Sequence, residues 1–193
     1  MNYTLPKTVT VDGRELEVRY DFRVILEIIQ MLNDPGLDQA DKAEALLEMF
    51  YVDPDAVTNP KEAIEGCYAF IDMGEKTNKK SPRLVDWEQD FNYIISPINR
   101  VLGQEVRGIP YDIDTNTGGL HWWTFMSAYM EIGGDCLFSQ IVSIRDKRAR
   151  GKKLEKYEKE WLRRNIELVE FKVKYSDEEN ELAREWMGGG KNG

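Results

Sequence analysis

The sequence has little cysteine or histidine and no long apolar run. Its 193 residues include two cysteines, Cys67 and Cys136, and one histidine, His121. Two cysteines cannot form a disulfide framework, and a single histidine leaves little for metal binding or acid–base chemistry. No stretch approaches the ~18–20 uninterrupted apolar residues of a membrane span, and residues 1–7 lack the apolar core of a signal peptide. We therefore expect a soluble intracellular protein without cofactor, metal or membrane partner.

Catalytic motifs are missing too. There is no GxSxG or P-loop spacing, and the glycine pairs at 118–119 and 133–134 do not follow a buried strand. Asp112 and Asp114 lack further ligands at a fixed spacing, so we expect them to be solvated. His121 lies in the most apolar helical segment and is predicted to pack structurally. The two cysteines are predicted to be inert thiols. The chain is not expected to be an enzyme.

What the sequence does contain is apolar residues and an uneven charge distribution. Hydrophobic residues make up 41% of the chain, which excludes wholesale disorder. The net charge is −9, but residues 1–120 hold 12 basic and 22 acidic residues, whereas residues 121–193 hold 14 and 13. Between Arg145 and Arg164 there are ten bases and four acids. The predicted molecule is an acidic body with one basic helical segment, which disfavours nucleic acid over most of its surface.

The N-terminus has the pattern of a β-hairpin followed by a helix. Apolar residues alternate on both sides of Asp12 and Gly13, a dipeptide that accepts the positive φ angles of a type I′ turn. Because a lone hairpin is marginal in water, we expect it to pack on the helix that follows. Asp21 is predicted to cap that helix, and Asp34-Pro35-Gly36 to end it.

At least four further helices are predicted by the same apolar spacing. One begins at Asn59-Pro60 and another at Ser81-Pro82, each a cap followed by proline at the first helical position. The second of these is expected to kink at Pro97 and to end at Gly103. A last long helix is predicted from about Leu154 to Lys174.

The predicted fold class is mainly α, a compact domain of about six or seven helices with an N-terminal β-hairpin. Residues 1–103 hold the hairpin and the first helices, and residues 104–119 form an irregular stretch, either a hinge or a functional loop. Residues 120–185 form a C-terminal helical part that packs on the first. Residues 186–193 are expected to be a disordered tail.

Three features leave structural and functional alternatives open. The segment from Arg145 to Lys153 is either a solvated turn or a patch that binds phosphate or an acidic partner. The solvated turn is favoured by acids that can pair within the chain at i, i+4, as in Glu155–Lys159 and Glu160–Arg164. Adjacent tryptophans point ~100° apart on a helix, so either two layers bury Trp122 and Trp123 or one of them contacts a partner. The C-terminal helix either packs within the chain or serves a partner or self-association.

Several blocks, in this order and spacing, resemble one family over essentially the whole chain. They are DWEQDF (86–91), INRVLG (98–103), LHWWTF (120–125), FSQIVSIR (138–145), GKKL (151–154) and EKEW (158–161). They resemble the "gene product fifteen" family of siphophages and prophages of Gram-positive bacteria. The opening hairpin and helix also look like the start of many tail assembly chaperones.

The resemblance implies a place in the phage tail module, between the tail tube and tape measure genes. Proteins of that position are expected to hold the aggregation-prone tape measure protein, to recruit tail tube subunits, and to be shed from the finished tail. The resemblance thus implies a non-catalytic chaperone of the bacterial host's cytoplasm, absent from the mature virion, and possible homo-oligomers. The alternative is a connector or terminator that stays in the virion.

The family supplies no site residues, so the partner surface is a hypothesis from the residues themselves. We expect aromatic residues to cover amphipathic segments of the tape measure protein and basic residues to steer its acidic stretches. The residues proposed for this surface are Trp122, Trp123, Arg145, Lys147, Arg148, Arg150, Lys152 and Lys153.

Overall fold

A computed structural model describes residues 4–75 and 81–172. In chain order these residues form β1 (Thr8–Val11), β2 (Arg14–Glu17), α1 (Phe22–Leu32), α2 (Gln39–Phe50), α3 (Pro60–Ile71), α4 (Trp87–Leu102), β3 (Tyr111–Asp112), β4 (Thr117–Gly118), α5 (Trp122–Met130), α6 (Leu137–Ala149), α7 (Lys156–Arg164) and α8 (Ile166–Val169). The prediction of a mainly α fold with an N-terminal hairpin is confirmed. The predicted tail at 186–193 lies outside the described residues.

The N-terminal hairpin forms around the predicted Asp12-Gly13 turn but packs on α3. Val9 pairs with Leu16 across the ladder, and the turn residues Asp12 and Gly13 have φ angles of 49° and 72°, as a type I′ turn requires. The prediction that the hairpin lies on the following helix is corrected by its contact with α3. There, a Cβ on Gly66 would lie only 2.4 Å from Val9 Cγ1, so the close approach depends on glycine.

One buried core cluster draws on the hairpin and on α1 to α6, and an aromatic part of it lies between α1, α4 and α5. Phe22 of α1 and Phe125 of α5 are fully buried and stack with ring centroids 4.7 Å apart. Trp87 of α4 packs edge-on against Trp122, with centroids 6.0 Å apart. Asp21 caps α1 as predicted, accepting a hydrogen bond from the backbone N–H of Arg23.

Helix α4 begins later than its proline signal predicts. The predicted start at Ser81-Pro82 is wrong, because the helix begins at Trp87 with Asp86 as its cap. The Asp86 carboxylate accepts hydrogen bonds from two first-turn N–H groups, and its own N–H donates to Asp90 Oδ2 at 2.9 Å. A reciprocal cap of this kind satisfies more orphan donors than a serine followed by proline. The predicted end at Gly103 is confirmed by its φ of 70°.

Residues 104–119, expected to be an irregular loop or a hinge, contain a 3-10 turn at Val106–Gly108 and the β3–β4 pair. Asn116 is buried, with an exposed fraction of 4%, and it links this stretch to the first hairpin by hydrogen bonds. Its amide donates to Glu17 Oε1 at 2.9 Å and to the carbonyl of Val18 at 3.1 Å. These bonds tie the stretch between α4 and α5 to the end of β2.

The predicted long C-terminal helix is two helices, which corrects the sequence expectation. Helices α7 and α8 are separated at Asn165, which has a φ of −129°. The Asn165 side chain donates to the carbonyl of Trp161 at 2.9 Å, so it satisfies a carbonyl at the end of α7. Helix α8 ends at Val169, and the predicted continuation to Lys174 lies partly outside the described residues.

Candidate partner-binding surface

The two adjacent tryptophans, Trp122 and Trp123, form hydrogen bonds that join α5 to the end of α3. The indole N–H of Trp122 donates to the carbonyl of Ile71, and that of Trp123 donates to the carbonyl of Phe70, each at 2.9 Å. Those carbonyls belong to the last two residues of α3, beyond its regular hydrogen-bond ladder, and the carbonyl of Phe70 also accepts from the backbone N–H of Met73 at 3.1 Å. Trp122 is only 2% exposed and Trp123 is half-buried, so both side chains are packed within the fold. The hypothesis that Trp122 offers surface to a partner is therefore corrected.

His121 has a structural role, as predicted, and the structure shows that this role is to cap the start of α5. Its Nδ1 accepts a hydrogen bond from the backbone N–H of Trp123, and its Nε2–H donates to the carbonyl of Pro6 at 2.7 Å. The ring stacks on Tyr20 with centroids 5.3 Å apart. Burial lowers the pKa of His121, which favours the neutral ring that this cap needs.

The other candidate chemical groups are also engaged or buried. Cys67 is fully buried, and burial raises the pKa of its thiol, as expected of an inert cysteine. The sulfur of Cys136 caps α6 by accepting from the N–H of Ser139 at 3.5 Å. Asp112 accepts from two backbone N–H groups of its own loop. Across residues 4–75 and 81–172 there is no cluster of metal-ligating side chains.

Arg145 is a core residue, which corrects its predicted place on a basic surface. Its guanidinium is 4% exposed and forms a pair with the fully buried Asp90 at 2.5 Å. It also donates to the carbonyls of Val169, Leu168 and Leu84 at 2.8, 2.8 and 3.0 Å. Arg145 thus joins α4, α6 and α8, because one guanidinium fork satisfies groups on all three.

Three of the remaining bases are paired within the chain. Lys147 contacts Glu158 of α7 at 2.5 Å, Arg148 contacts Glu170 at 2.6 Å, and Arg150 contacts Asp146 at 2.6 Å. The hydrogen bond between Lys147 and Glu158 raises the pKa of the lysine and lowers that of the glutamate.

Intramolecular pairing was the structural alternative for this segment, and the structure shows it with other partners than those predicted. The Glu155–Lys159 and Glu160–Arg164 pairs do not form among the described residues. Lys152 and Lys153 are exposed, and no ion pair involves them in the described part of the chain.

An open groove lies between α6 and α7, near this segment. We call it the α6–α7 groove; its volume is about 490 Å³. It is lined by Gly134, Asp135, Cys136, Leu137, Ser139, Gln140, Ser143, Ile144, Tyr157 and Glu158. Two of these residues expose large apolar side chains, Leu137 at 43% and Tyr157 at 66%. Exposed aromatic groups of this kind are common anchors at protein interfaces.

Helix α7 also carries three exposed bases on one face, Lys156, Lys159 and Arg163, which we call the α7 basic stripe. Their i, i+3, i+7 spacing aligns them along the helix. Sequence reasoning missed this stripe and Tyr157 because it placed the basic patch at residues 145–153. The spacing of the three bases, with one tyrosine among charged neighbours, was the available signal.

None of the helices in the described ranges is long and apolar enough to cross a bilayer.

Comparison with known protein families identifies a match. Residues 1–171 match the model of the family described as "Bacteriophage Gp15 protein". No curated protein and no solved structure matches the chain.

Proposed function

The chain belongs to the bacteriophage Gp15 protein family, and on that premise we propose that it is a tail assembly chaperone. In this role it binds the tape measure protein, prevents its amphipathic segments from associating with one another, and helps to recruit tail tube subunits. The role is stoichiometric and non-catalytic, in the host cytoplasm, and the protein leaves before the virion is complete.

The observation that carries this proposal is the α6–α7 groove, where two exposed apolar side chains lie among polar and acidic residues. Leu137 and Tyr157 expose apolar surface there, whereas most apolar side chains are packed in the core. A chaperone of a long helical protein needs such a surface for contact, and a net charge of −9 keeps the free protein soluble. His121 and Cys67 are committed to capping and packing, which supports a binding role rather than catalysis.

Co-expression with the tape measure protein encoded by the same phage tests the proposal. The tape measure protein alone is expected to be insoluble, and a tagged copy of this chain is expected to bring it into the soluble fraction as a complex of defined size. Mass spectrometry of purified virions is expected to detect the tape measure protein but not this chain. A ring of this chain without tape measure protein, together with its presence in virions, would instead establish a structural connector or terminator.

A further inference from the structure

Another concave surface lies at the end of α1, between the start of α2 and the middle of α3. We call it the α2–α3 pocket; its volume is about 280 Å³. It is lined by Leu32, Gln39, Lys42, Ala43, Ile64 and Tyr68. Tyr68 is 46% exposed, and the three aliphatic side chains of the lining are half-buried. The pocket therefore leaves apolar surface open to solvent.

The charge within this pocket is that of Lys42. It is the charged residue of the lining, it is half-buried, and it forms no ion pair within residues 4–75 and 81–172. Asp38 lies one turn earlier, but its carboxylate caps α2 by accepting from two first-turn N–H groups. Glu65 and Asp72 of α3 are exposed and lie outside the lining. A half-buried ammonium without a carboxylate favours an occupant that supplies acidic groups.

The described part of the chain ends near this pocket, beside the start of α4. The amide of Gln89 donates to the carbonyl of Glu170 at 2.8 Å, and its Oε1 accepts from the N–H of Lys172 at 3.0 Å. The neighbouring Trp87 and Glu88 line a small cavity together with the last turns of α1. The end of α1 therefore adjoins both the point where the chain leaves Gln89 and the α2–α3 pocket.

The sequence after Lys172 has the pattern of a short amphipathic helix with an acidic flank. Ser176 and Glu179 have the spacing of a capping box. Leu182 and Trp186 follow at the i, i+4 spacing that places them on one helix face. Since successive helical residues are ~100° apart, three acidic residues fall along one side of that apolar pair. They are Glu178, Glu181 and Glu185. This pattern is complementary to the pocket in both apolar character and charge.

The segment is also long enough to reach the pocket. The residues from 173 to 182 can span roughly 33 Å when extended. The path from Gln89 to the pocket crosses one helix, α1, and a helix with its side chains is ~10–12 Å in diameter. The family match ends at residue 171, so the segment lies beyond the part of the chain that the family model describes.

We propose that residues 176–187 of this chain occupy the α2–α3 pocket of the same molecule. Leu182 and Trp186 pack against the apolar lining, and the acidic flank pairs with Lys42. A short tether holds such a segment at an effective concentration in the ~mM range, so a weak contact is sufficient. The inference goes beyond the proposed function and does not depend on it, because the segment covers apolar surface of the free protein.

Fluorescence anisotropy with a labelled peptide of residues 174–187 tests the occupancy. The receptor is the full chain, either as the wild type or as a double variant, Leu182→Ser and Trp186→Ser, whose own segment lacks its apolar pair. The peptide is expected to bind the double variant at least about tenfold more tightly than the wild type, in which the tethered segment competes. Equal binding to both receptors, or binding to neither, would overturn the proposal.

Further changes in the double variant locate the contact. Lys42→Glu is expected to weaken peptide binding at least about tenfold and to restore it for a peptide with lysine at the three flanking glutamates. Lys156→Glu on α7 is the control for this charge reversal. Tyr68→Ser is expected to weaken binding about tenfold, whereas Tyr157→Ser, an exposed tyrosine of α7, leaves it unchanged. Rescue by the lysine peptide requires a folded receptor, so it separates a lost contact from a lost fold. Undiminished binding in both Lys42→Glu and Tyr68→Ser would overturn the pocket as the site.

Two further measurements distinguish the other occupants. In sedimentation, the wild type and the double variant are expected to have the same mass, because the contact lies within one molecule. A wild-type dimer that the double variant loses would overturn the proposal in favour of segments exchanged between two copies. The double variant is also expected to bind the tape measure protein as well as the wild type does. Loss of that binding, with no peptide bound in the pocket, would instead assign the segment to a partner.

Discussion

The junction of α3 and α5 and the region of α6 and α7 use similar residue types in opposite ways. At the first, Trp122, Trp123 and His121 donate and accept hydrogen bonds within the fold, and little of their surface remains exposed. At the second, Tyr157 is 66% exposed and the α7 basic stripe faces solvent. An aromatic or basic residue is therefore a candidate for a partner surface only when its side chain is not already hydrogen-bonded and buried within its own chain.

The largest expected effect concerns Arg145, which lies at the boundary of the two regions. Arg145→Ala leaves the Asp90 carboxylate buried and unpaired, together with three carbonyls, so we expect the free energy of unfolding to fall by about 3–5 kcal/mol. Urea denaturation measures the loss. Arg148→Ala, which breaks an exposed pair with Glu170, is the control and is expected to cost at most about 1 kcal/mol. Equal losses in both variants would show that Arg145 is not a core residue.

The tryptophan pair gives the next largest effect. Trp122→Phe removes the indole donor from the carbonyl of Ile71 and leaves space beside a side chain that is 2% exposed, so we expect a loss of about 2–3 kcal/mol. Trp123→Phe removes one donor from the carbonyl of Phe70, which keeps its hydrogen bond from the backbone N–H of Met73 at 3.1 Å, so a loss of about 1 kcal/mol or less is expected. Thermal or urea unfolding of both variants decides the order. A smaller loss for Trp122→Phe would contradict the assignment of Trp122 to the core.

A smaller effect is the pH dependence contributed by His121. Since burial lowers its pKa in the folded state, the unfolded chain binds the proton more readily below the ordinary pKa of about 6.5. The contribution of His121 to the free energy of unfolding is therefore fully present above about pH 6.5 and decreases as the pH falls below it. The decrease is at most about 1.4 kcal/mol per pH unit. His121→Asn keeps a capping side chain without a titrating group, so its unfolding free energy is expected to change less between about pH 5 and 7. Identical slopes for the two proteins would refute the cap.

The smallest effect belongs to the exposed lysines that precede α7. Lys152→Glu together with Lys153→Glu is expected to change the free energy of unfolding by no more than about 0.5 kcal/mol, because no described partner is lost. Chemical denaturation tests this expectation. A loss above about 2 kcal/mol would mean that these lysines support the fold and do not belong to a free surface.

The sequence predicts most elements of this fold because their signals are local. The Asp12-Gly13 turn, the Asp21 cap and the Gly103 stop each depend on neighbours within four residues. The false start at Ser81-Pro82 arose because a stronger reciprocal cap lies four residues downstream of Pro82, at Asp86.

The partner surface was harder to predict because it depends on contacts distant in the sequence. Asp90 lies 55 residues before Arg145, and the α3 carbonyls lie more than 50 residues before their tryptophan donors. No local pattern reveals those pairings. Helical spacing identifies the α7 basic stripe, whereas the α6–α7 groove depends on how the two helices pack and has no signal in the sequence.

Hydrogen–deuterium exchange of this chain, free and in complex with the tape measure protein, tests the central claim most directly. We expect the complex to slow exchange of the amides of α6 residues 137–144 and of α7, with little change in α3 and in the first turn of α5. Protection confined to α3 and α5, with unchanged exchange in α7, would contradict the account and would return the tryptophan pair to the partner surface.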